Sequence, residues 1–302
     1  MERGGGAVRR VRVMAFGKVN LCLEVLGKRQ DGFHEVRTVM QSIGLADEVV
    51  LEEAETLSVE SDLPELAGED NLALRAARAL VEQTHHPSGV RIGLRKGIPV
   101  AAGLGGASAD AAATLVGLTL LWRLAIGPPE LFSIASAIGS DVPFFLTGGT
   151  ALATGRGERI TPLPDLVPTW LVVLVPSHSL VAKTAELYRR LKPELWSGGE
   201  RTDRLADAIL RRERPATPLL TNCFEPVAEE VFPRLGDYHD ALLSAGADSV
   251  HLSGAGPAVF ALFESEAAAG MVAGTLAGRG FSPLVTRTLP AVEARPRPQP
   301  AS

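Results

Sequence analysis

Residues 98–113 of the chain read IPVAAGLGGASADAAA, and this stretch decides the fold class and the chemistry. Gly103, Gly105 and Gly106 come directly before residues that the sequence predicts to be helical, 108–121. Glycine adopts positive φ angles and has no Cβ to obstruct a ligand. The amides of such a loop and the first turn of the helix form a site for anions. The stretch therefore predicts a phosphate-binding loop, with a tight loop that only packs a small-residue helix as the alternative.

The two best-known phosphate-binding motifs do not describe this loop. A Walker A loop has the pattern GxxxxGK[ST], and no lysine follows these glycines. The dinucleotide fingerprint GxGxxG begins at Gly103, but Ser108 occupies the position of its third glycine. The loop therefore indicates another class of nucleotide-binding protein.

The composition is that of a folded protein without a nucleic-acid or membrane partner. The 302 residues are 46% hydrophobic, which is enough for one large or two medium domains. The net charge is −5, whereas nucleic-acid-binding proteins carry a basic excess. The longest apolar run, residues 170–175, is too short to cross a bilayer.

Cysteine usage and the N-terminus favour a cytoplasmic location. The two cysteines, Cys22 and Cys223, are too few and too far apart for a CxxC-type metal cluster or a disulfide framework. The arginine-rich N-terminus is not followed by the apolar stretch of a signal peptide. Both observations agree with a reducing compartment.

The order of elements indicates an α+β fold, because several neighbouring strands have no helix between them. Strands are predicted at residues 11–16, 19–26, 36–40, 48–51, 57–60, 90–94, 170–175, 250–253, 258–263 and 283–288. Helices are predicted at residues 71–83, 108–121, 130–138, 183–191, 203–211, 227–245 and 267–278.

Three prolines within residues 160–168 (ITPLPDLVP) mark the expected boundary between two domains. We assign residues 10–162 to an N-terminal domain, which holds the glycine loop, and residues 168–289 to a C-terminal domain. Residues 1–9 and the proline-rich residues 290–302 are expected to be flexible tails.

Three polar positions are candidates for the chemistry. Lys18 lies among apolar residues of a predicted strand and Asn20 shares its face, although most strand lysines are simply solvated. Asp141 lies on a predicted turn before Pro143, where an aspartate can also cap a helix or close an Asx turn. A carboxylate held beside a lysine can orient a substrate hydroxyl and accept its proton during phosphoryl transfer.

Together these segments resemble the GHMP kinase superfamily, which includes galactokinase, homoserine kinase and mevalonate kinase. Its motif Pro-x-x-x-Gly-Leu-Gly followed by small and hydroxyl residues is matched by residues 99–108. Its C-terminal glycine motif is matched by residues 253–257, which alone would predict only a hairpin turn. The resemblance covers about residues 12–288 and implies a two-domain GHMP kinase fold. That fold has a ribosomal protein S5 domain 2-like N-terminal domain and a ferredoxin-like C-terminal domain.

Further segments resemble the branch of the superfamily that acts on a cytidine diphosphate-linked methylerythritol. They are residues 18–21 (KVNL), 29–34 (RQDGFH), 139–145 (GSDVPFF) and 221–226 (TNCFEP). The resemblance implies ATP-dependent phosphorylation of the 2-hydroxyl of 4-diphosphocytidyl-2-C-methyl-D-erythritol in the non-mevalonate pathway to isoprenoid precursors. We expect a monomer or a homodimer.

The resemblance implies a catalytic pair and an ATP site. Asp141 would take or orient the hydroxyl proton, and Lys18 would keep Asp141 ionised and neutralise developing charge. Phosphoryl transfer also needs Mg²⁺, and Ser108 is the expected hydroxyl near it. The residues that match the ATP loop are Pro99, Val100, Ala101, Ala102, Gly103, Leu104, Gly105, Gly106, Ala107, Ser108 and Ala109.

The resemblance also implies a substrate site. Phe33 would stack on the cytosine, His34 would pair with the edge of the base, and Asn20 would lie close to the substrate. Phe33 replaces a frequent tyrosine, which keeps the stacking and removes one hydrogen bond. Other departures are Ala107 and Ala109 within a loop that often reads GGGSS, and Ala255 where a serine is common.

Two other functions remain open. One is a different small-molecule kinase of the superfamily, acting on homoserine or a mevalonate derivative, which would not require the pair Phe33 and His34. The other is a non-catalytic nucleotide sensor with the same fold, against which the presence of both Lys18 and Asp141 speaks.

Overall fold

The computed structural model describes residues 9–87, 89–176 and 183–300. The first of its two sheets contains β1 (Arg10–Lys28), β2 (His34–Ala54), β3 (Ser58–Ser61), β4 (Gly89–Arg95), β5 (Thr150–Thr154), β6 (Arg159–Pro162) and β11 (Gln299–Pro300). These strands lie in the order β11-β1-β2-β4-β3, while β5 pairs with the first part of β2 and β6 pairs with β5. β3 runs parallel to β4, and the other pairs are antiparallel.

The first two strands are longer than the sequence predicted. β1 has 19 residues and β2 has 21, where two short strands were expected in each region. Register shifts between Phe16 and Lys18 and between Asn20 and Cys22 let β1 bend without ending. Lys18 and Asn20 pair with Ser42 and Met40 without a shift between them, so strand alternation places both side chains on one face, and both are buried.

Four helices pack on this sheet: α1 (Leu72–Thr84), α2 (Gly106–Leu121), α3 (Pro128–Ile138) and α4 (Val142–Thr147). The side chain of Asn71 caps α1 by accepting a hydrogen bond from the amide of Ala73. α2 is apolar nearly all round, as expected of a helix that is buried on most sides. No helix among the described residues combines the length and apolar character that a bilayer crossing demands.

The second sheet belongs to the C-terminal domain. Its strands are β7 (Trp170–Leu174), β8 (His251–Leu252), β9 (Val259–Phe263) and β10 (Leu284–Arg287), which lie in the antiparallel order β10-β7-β9-β8. Its helices are α5 (Lys183–Arg190), α6 (Glu200–Leu210), α7 (Glu225–Val231), α8 (Leu235–Ser244) and α9 (Glu266–Gly278). This is the βαββαβ order of a ferredoxin-like domain, so the structure confirms that part of the predicted fold.

A shared apolar core joins the two domains. Val19, Ile43 and Leu104 of the N-terminal domain pack with Leu171 and Phe260 of the C-terminal domain in one buried cluster. Leu104 belongs to the glycine loop, so the loop is anchored at the domain interface.

Six of the seven predicted helices are confirmed to within three residues at either end. The helix predicted at 227–245 is wrong, because it is divided into α7 and α8. Pro233 lies in the break, where it cannot supply an amide to a helix. Arg234 turns the chain there with a φ of 70°.

The C-terminal segment also differs from expectation. Residues 290–302 were predicted to be a flexible tail, but α10 (Ala291–Ala294) and β11 lie within them. Arg295 Nε donates a 2.7 Å hydrogen bond to the carbonyl of Thr147, and β11 pairs with the open edge of β1. An unpaired strand edge provides partners that composition does not reveal. The tail predicted at the N-terminus lies, over residues 1–8, outside the described residues.

Candidate active site

A cavity of about 580 Å³ opens where the glycine loop meets β1 and the C-terminal domain. Its walls include Lys18 and Asn20 of β1, Asp141 before α4, Tyr188 of α5, and Gly254 between β8 and β9. A cavity of this size holds a small molecule, and both domains contribute to it.

Most of the predicted ATP loop faces this cavity. Leu104 and Ala109 are instead buried in the core. α2 begins at Gly106, so its first turn is part of the cavity wall. The first amides of a helix have no acceptor within the helix and carry its positive dipole, which suits a phosphate group. The loop residues that line the cavity are Pro99, Val100, Ala101, Ala102, Gly103, Gly105, Gly106, Ala107 and Ser108.

The glycines of the loop are required by contacts within the protein. Gly103 and Gly105 have φ angles of +86° and +77°. A Cβ at Gly103 would lie 2.2 Å from the carbonyl oxygen of Ser253, and a Cβ at Gly105 would lie 2.5 Å from Cζ of Phe145. We expected these positions to leave room for a ligand, but protein atoms fill that room. The contacts fix the loop without any help from a ligand.

The structure brings Lys18 and Asp141 together. Lys18 Nζ lies 3.6 Å from Asp141 Oδ2 and donates a 2.5 Å hydrogen bond to Asn20 Oδ1. Lys18 is only 3% exposed, so it is not a solvated strand lysine. Burial lowers the pKa of Lys18, and the nearby Asp141 opposes that effect by favouring the charged ammonium. Asn20 donates to Thr38 Oγ1 at 2.8 Å, which turns its amide oxygen toward the lysine.

Asp141 is positioned by the helix that follows it. It occupies the residue before α4 but makes no capping hydrogen bond to that helix, all of whose residues are described. The capping alternative is therefore wrong. The carboxylate is partly exposed, at 35% of its side chain, and points to the cavity and to Lys18. A carboxylate that is accessible and held beside a cation can receive a proton from a bound hydroxyl.

The second glycine turn, residues 253–257, packs against Lys18 from the C-terminal domain. A Cβ at Gly254 would lie 3.0 Å from Lys18 Nζ and 3.1 Å from Asn20 Oδ1. Asn222 Nδ2 donates to the carbonyl oxygens of Leu252 and Gly254, at 2.9 and 2.8 Å. The turn is therefore more than a hairpin connection, because it closes the space behind the lysine.

Phe33 and His34 lie beside the cavity, each in contact with a residue that lines it. His34 stacks on Tyr188 with the ring centroids 4.6 Å apart, and the guanidinium carbon of Arg156 lies 4.7 Å from the Phe33 centroid. Burial and the charge of Lys28 lower the pKa of His34. Its imidazole is therefore neutral at pH 7, with one donor and one acceptor nitrogen.

Sequence reasoning missed a buried charge cluster beneath the loop. Lys96 Nζ donates to Asp47 Oδ2 and to Asp110 Oδ2, each at 2.5 Å. Asp47 Oδ1 accepts hydrogen bonds from the amides of Gly97 and Ile98, at 2.7 and 2.8 Å, where the loop begins. Asp110 lies on α2, where the loop ends, so the cluster ties both ends of the loop together. Two carboxylates around one ammonium leave an excess negative charge.

The missed residues had no recognisable signal of their own. Asp47 and Lys96 are 49 positions apart, and each reads as an ordinary surface charge in a strand or turn. Tyr188 packs against the apolar core of the C-terminal domain, and nothing in its position along the chain relates it to His34.

The donor set of the cavity fits Mg²⁺ bound together with phosphates. No group of three His, Cys, Asp or Glu side chains suited to a metal occurs among residues 9–87, 89–176 and 183–300. Mg²⁺ commonly takes only one or two protein oxygens and relies on water and substrate phosphates for the rest. Ser108, at the third position of α2, and the Asp141 carboxylate both line the cavity and offer such oxygens.

Two family models match the chain. The model described as "GHMP kinases N terminal domain" matches residues 71–149, and "GHMP kinases C terminal" matches residues 204–278. The first contains the glycine loop and Asp141, and the second contains the second glycine turn.

Curated relatives match nearly end to end. The 4-diphosphocytidyl-2-C-methyl-D-erythritol kinase of Dehalococcoides mccartyi is 40% identical over 278 residues, which cover 92% of this chain and 98% of the relative. The kinase of the same name from Gloeobacter violaceus is 42% identical over 288 residues, covering 93% and 95%.

Solved structures agree with these relatives. A crystal structure of 4-(cytidine 5'-diphospho)-2C-methyl-D-erythritol kinase superposes with a TM-score of 0.77 at 36% identity, covering 92% of this chain and 98% of that chain. A homoserine kinase from Cytophaga hutchinsonii shares the fold, with a TM-score of 0.72 at 19% identity and coverage of 99% and 100%. The resemblance and the two-domain fold predicted from the sequence are thereby confirmed, and this chain belongs to the GHMP kinase family.

Proposed function

We propose that this protein transfers the γ-phosphoryl group of ATP to the 2-hydroxyl of 4-diphosphocytidyl-2-C-methyl-D-erythritol, in the non-mevalonate route to isoprenoid precursors. One observation carries the proposal. A buried lysine lies 3.6 Å from a partly exposed carboxylate in the same cavity as the glycine loop. The relatives that share 39–42% of their sequence with this chain carry the name of this kinase.

The triphosphate of ATP is bound by the loop. Residues 99–103 and 105–108 line the cavity, all of them except Pro99 carry a backbone amide, and the dipole of α2 adds positive potential. The loop is already held in place by the close contacts at Gly103 and Gly105, so ATP does not have to order it on binding. A preorganised site does not lose binding energy in ordering itself.

Asp141 and Lys18 act on the acceptor hydroxyl. Asp141 accepts the hydroxyl proton as the substrate oxygen bonds to the γ-phosphorus, while the bond from that phosphorus to the bridging oxygen breaks and ADP leaves. Lys18 stabilises the negative charge that develops on the transferred group. Asn20 and the turn at Gly254 prevent the Lys18 ammonium from moving away.

If Mg²⁺ accompanies ATP, it would supply positive charge to the phosphate oxygens. The hydroxyl of Ser108 is the protein ligand that we assign to it, because this oxygen lies at the start of α2 in the cavity wall. The alanines at 107 and 109 leave it as the one hydroxyl of that segment.

The cytidine end of the substrate binds beside β2. The aromatic rings of Phe33 and Tyr188 supply faces for stacking on a base, and the neutral His34 supplies a donor and an acceptor for its edge. This aromatic group favours a cytidine-linked substrate over homoserine or mevalonate, neither of which has a ring to stack. The buried pair of Lys18 and Asp141 favours an enzyme over a nucleotide sensor.

Steady-state turnover of the purified protein tests the assignment. With ATP and the cytidine-linked substrate, Lys18→Met and Asp141→Asn are each expected to lower kcat by roughly 10²–10⁴. Matched controls are Lys192→Met and Asp207→Asn, which change exposed residues outside the cavity. Unchanged rates in both active-site variants, with their folding intact, would refute the assignment.

A substrate panel separates the remaining kinases. Turnover of homoserine or mevalonate at the same efficiency as the cytidine-linked substrate would favour a different member of the family. Tight ATP binding with no ADP formed from any acceptor would favour a sensor.

Location and assembly follow from weaker observations. Cys22 and Cys223 are both free thiols in the described structure, which agrees with the cytoplasm. Whether the protein is a monomer or a homodimer stays a prediction, which size-exclusion chromatography with light scattering would test.

A further inference from the structure

Arg156 is a cavity residue to which the reaction described above gives no role. It lies in the tight loop between β5 and β6 and lines the same cavity as Lys18, Asp141 and Tyr188. The loop has glycine on either side of the arginine, with φ angles of +74° and +108°. Such a turn presents the single side chain between the two glycines.

The loop is tied to the strand that begins at His34. The amide of Val36 donates to the carbonyl of Gly155 at 2.7 Å, and the amide of Gly155 donates to Glu35 Oε1 at 3.2 Å. The amide of Arg156 itself donates to Glu158 Oε2 at 2.6 Å. The backbone of Arg156 is therefore held in a fixed position relative to Phe33 and His34.

Arg156 bridges the two ends of the proposed substrate site. Its guanidinium carbon lies 4.7 Å from the ring centroid of Phe33, at the cytidine end. A Cβ on the next residue, Gly157, would lie 3.8 Å from Asp141 Oδ1, at the hydroxyl end. A substrate that reached from one end to the other would pass this side chain.

Arg156 forms no ion pair with a carboxylate among the described residues, although its charge helps to lower the pKa of Asp31. Within the described ranges, no carboxylate oxygen lies within 4.0 Å of its guanidinium, whereas Lys18 and Lys96 each have carboxylate partners. The acidic residues nearby are engaged elsewhere. Asp31 and Glu35 both pair with Arg29, and Glu158 accepts from the Arg156 amide and lies 3.7 Å from Arg159.

We propose that Arg156 binds the diphosphate that links the cytidine to the methylerythritol and so selects diphosphate-linked substrates. The proposal rests on the proposed function. A guanidinium pairs with phosphate oxygens through parallel N–H donors, and stacking its face on Phe33 leaves those in-plane donors available. Between the base and the acceptor hydroxyl, the diphosphate is the anionic part of this substrate, which matches the place of the arginine.

Calorimetric titration with CDP and with cytidine tests the proposal without turnover. The wild type is expected to bind CDP more tightly than cytidine. Arg156→Met is expected to lose about tenfold or more in CDP affinity and to keep its cytidine affinity within about twofold, since cytidine has no phosphate for the arginine to bind. Arg156→Lys keeps the positive charge but lacks the parallel N–H donors of a guanidinium. Its CDP affinity is expected to lie between those of the wild type and Arg156→Met.

The control is Arg159→Met, which removes a 71% exposed arginine of the next strand outside the cavity. Its CDP affinity is expected to equal that of the wild type. Equal loss of CDP and cytidine affinity in Arg156→Met would overturn the proposal, because the arginine would then act only by supporting Phe33. Unchanged CDP affinity in that variant would overturn it as well.

Kinetics separate this proposal from the proposed function. Arg156→Met should raise KM for the cytidine-linked substrate while leaving KM for ATP unchanged. A rise confined to KM for ATP would assign the arginine to the triphosphate instead and overturn the proposal. If the wild type turned over the cytidine-linked substrate and Arg156→Met matched it in both KM values, only this inference would fail. If the wild type were inactive on that substrate, both the proposed function and this inference would be refuted.

Discussion

Asp110→Asn tests how the charge cluster beneath the glycine loop contributes to stability. The Asp110 side chain is 4% exposed, and its Oδ1 has no hydrogen-bond partner among the described residues. Its Oδ2 shares the ammonium of Lys96 with Asp47. Burial raises the pKa of Asp110 to about 7, since the attraction of Lys96 is opposed by the charge of Asp47.

The direction of the pH dependence follows from this raised pKa. In the unfolded chain Asp110 titrates near its ordinary value of 3.8, so between pH 4 and pH 7 the folded state binds the extra proton. Stability then falls as pH rises through this range and levels off above pH 7. The rise of the pKa makes the ionised form of Asp110 up to ~4 kcal/mol less favourable in the folded protein.

Asparagine has the same shape and no charge, and it leaves the ion pair of Lys96 and Asp47 intact. We therefore expect Asp110→Asn to match the wild type near pH 4 and to be more stable at pH 8, by as much as ~4 kcal/mol. Urea unfolding at pH 5, 6, 7 and 8 measures the difference. KM for ATP should also fall at pH 8, because a negative charge near the triphosphate is removed.

Lys96→Met is the comparison variant, because it removes the positive charge of the cluster instead of a negative one. It leaves two buried carboxylates without their cation and is expected to lose ~3–5 kcal/mol of stability at pH 8. The reasoning would be refuted if Asp110→Asn were less stable than the wild type by the same amount at every pH. That outcome would show that the hydrogen bond to Lys96 outweighs the cost of the buried charge.

Three further changes have definite expected results. Gly103→Ala places a Cβ 2.2 Å from the Ser253 carbonyl oxygen in a backbone of positive φ. We therefore expect the free energy of unfolding, measured with denaturant, to fall by at least ~2 kcal/mol and KM for ATP to rise. A variant with wild-type values would contradict the close contact. Tyr188→Ala should raise KM for the cytidine-linked substrate about tenfold and leave KM for ATP unchanged, whereas Tyr188→Phe keeps an aromatic ring for stacking and should leave both values unchanged. If both variants raised KM for the cytidine-linked substrate equally, stacking by Tyr188 would be ruled out. Truncation after Leu289 removes β11 and the hydrogen bond to the Thr147 carbonyl, and should lower Tm by roughly 5 °C in a thermal melt, whereas no shift would mean that the segment contributes nothing to stability.

The sequence predicted most of the local structure correctly, because short-range patterns of apolar and polar residues indicate where most helices and strands form. The periodicity of residues 71–83 and the glycines before α2 were sufficient to find α1 and the loop. The errors came where long-range contacts override local signals. β1 continues through its bulges because β2 pairs with it along nearly its whole length, and no local pattern reveals that partner.

What the amino-acid sequence determined by itself was the family, the α+β class, the position of the glycine loop before α2, and the identity of Lys18, Asp141, Phe33 and His34 as candidates. These depend on residue types at fixed spacing along one chain. Only the tertiary structure decided that Lys18 and Asp141, 123 positions apart, lie 3.6 Å from each other, and that Asp47, Lys96 and Asp110 form one buried cluster. Interactions of charges depend on distance and burial, and neither quantity exists until the two domains have folded against each other.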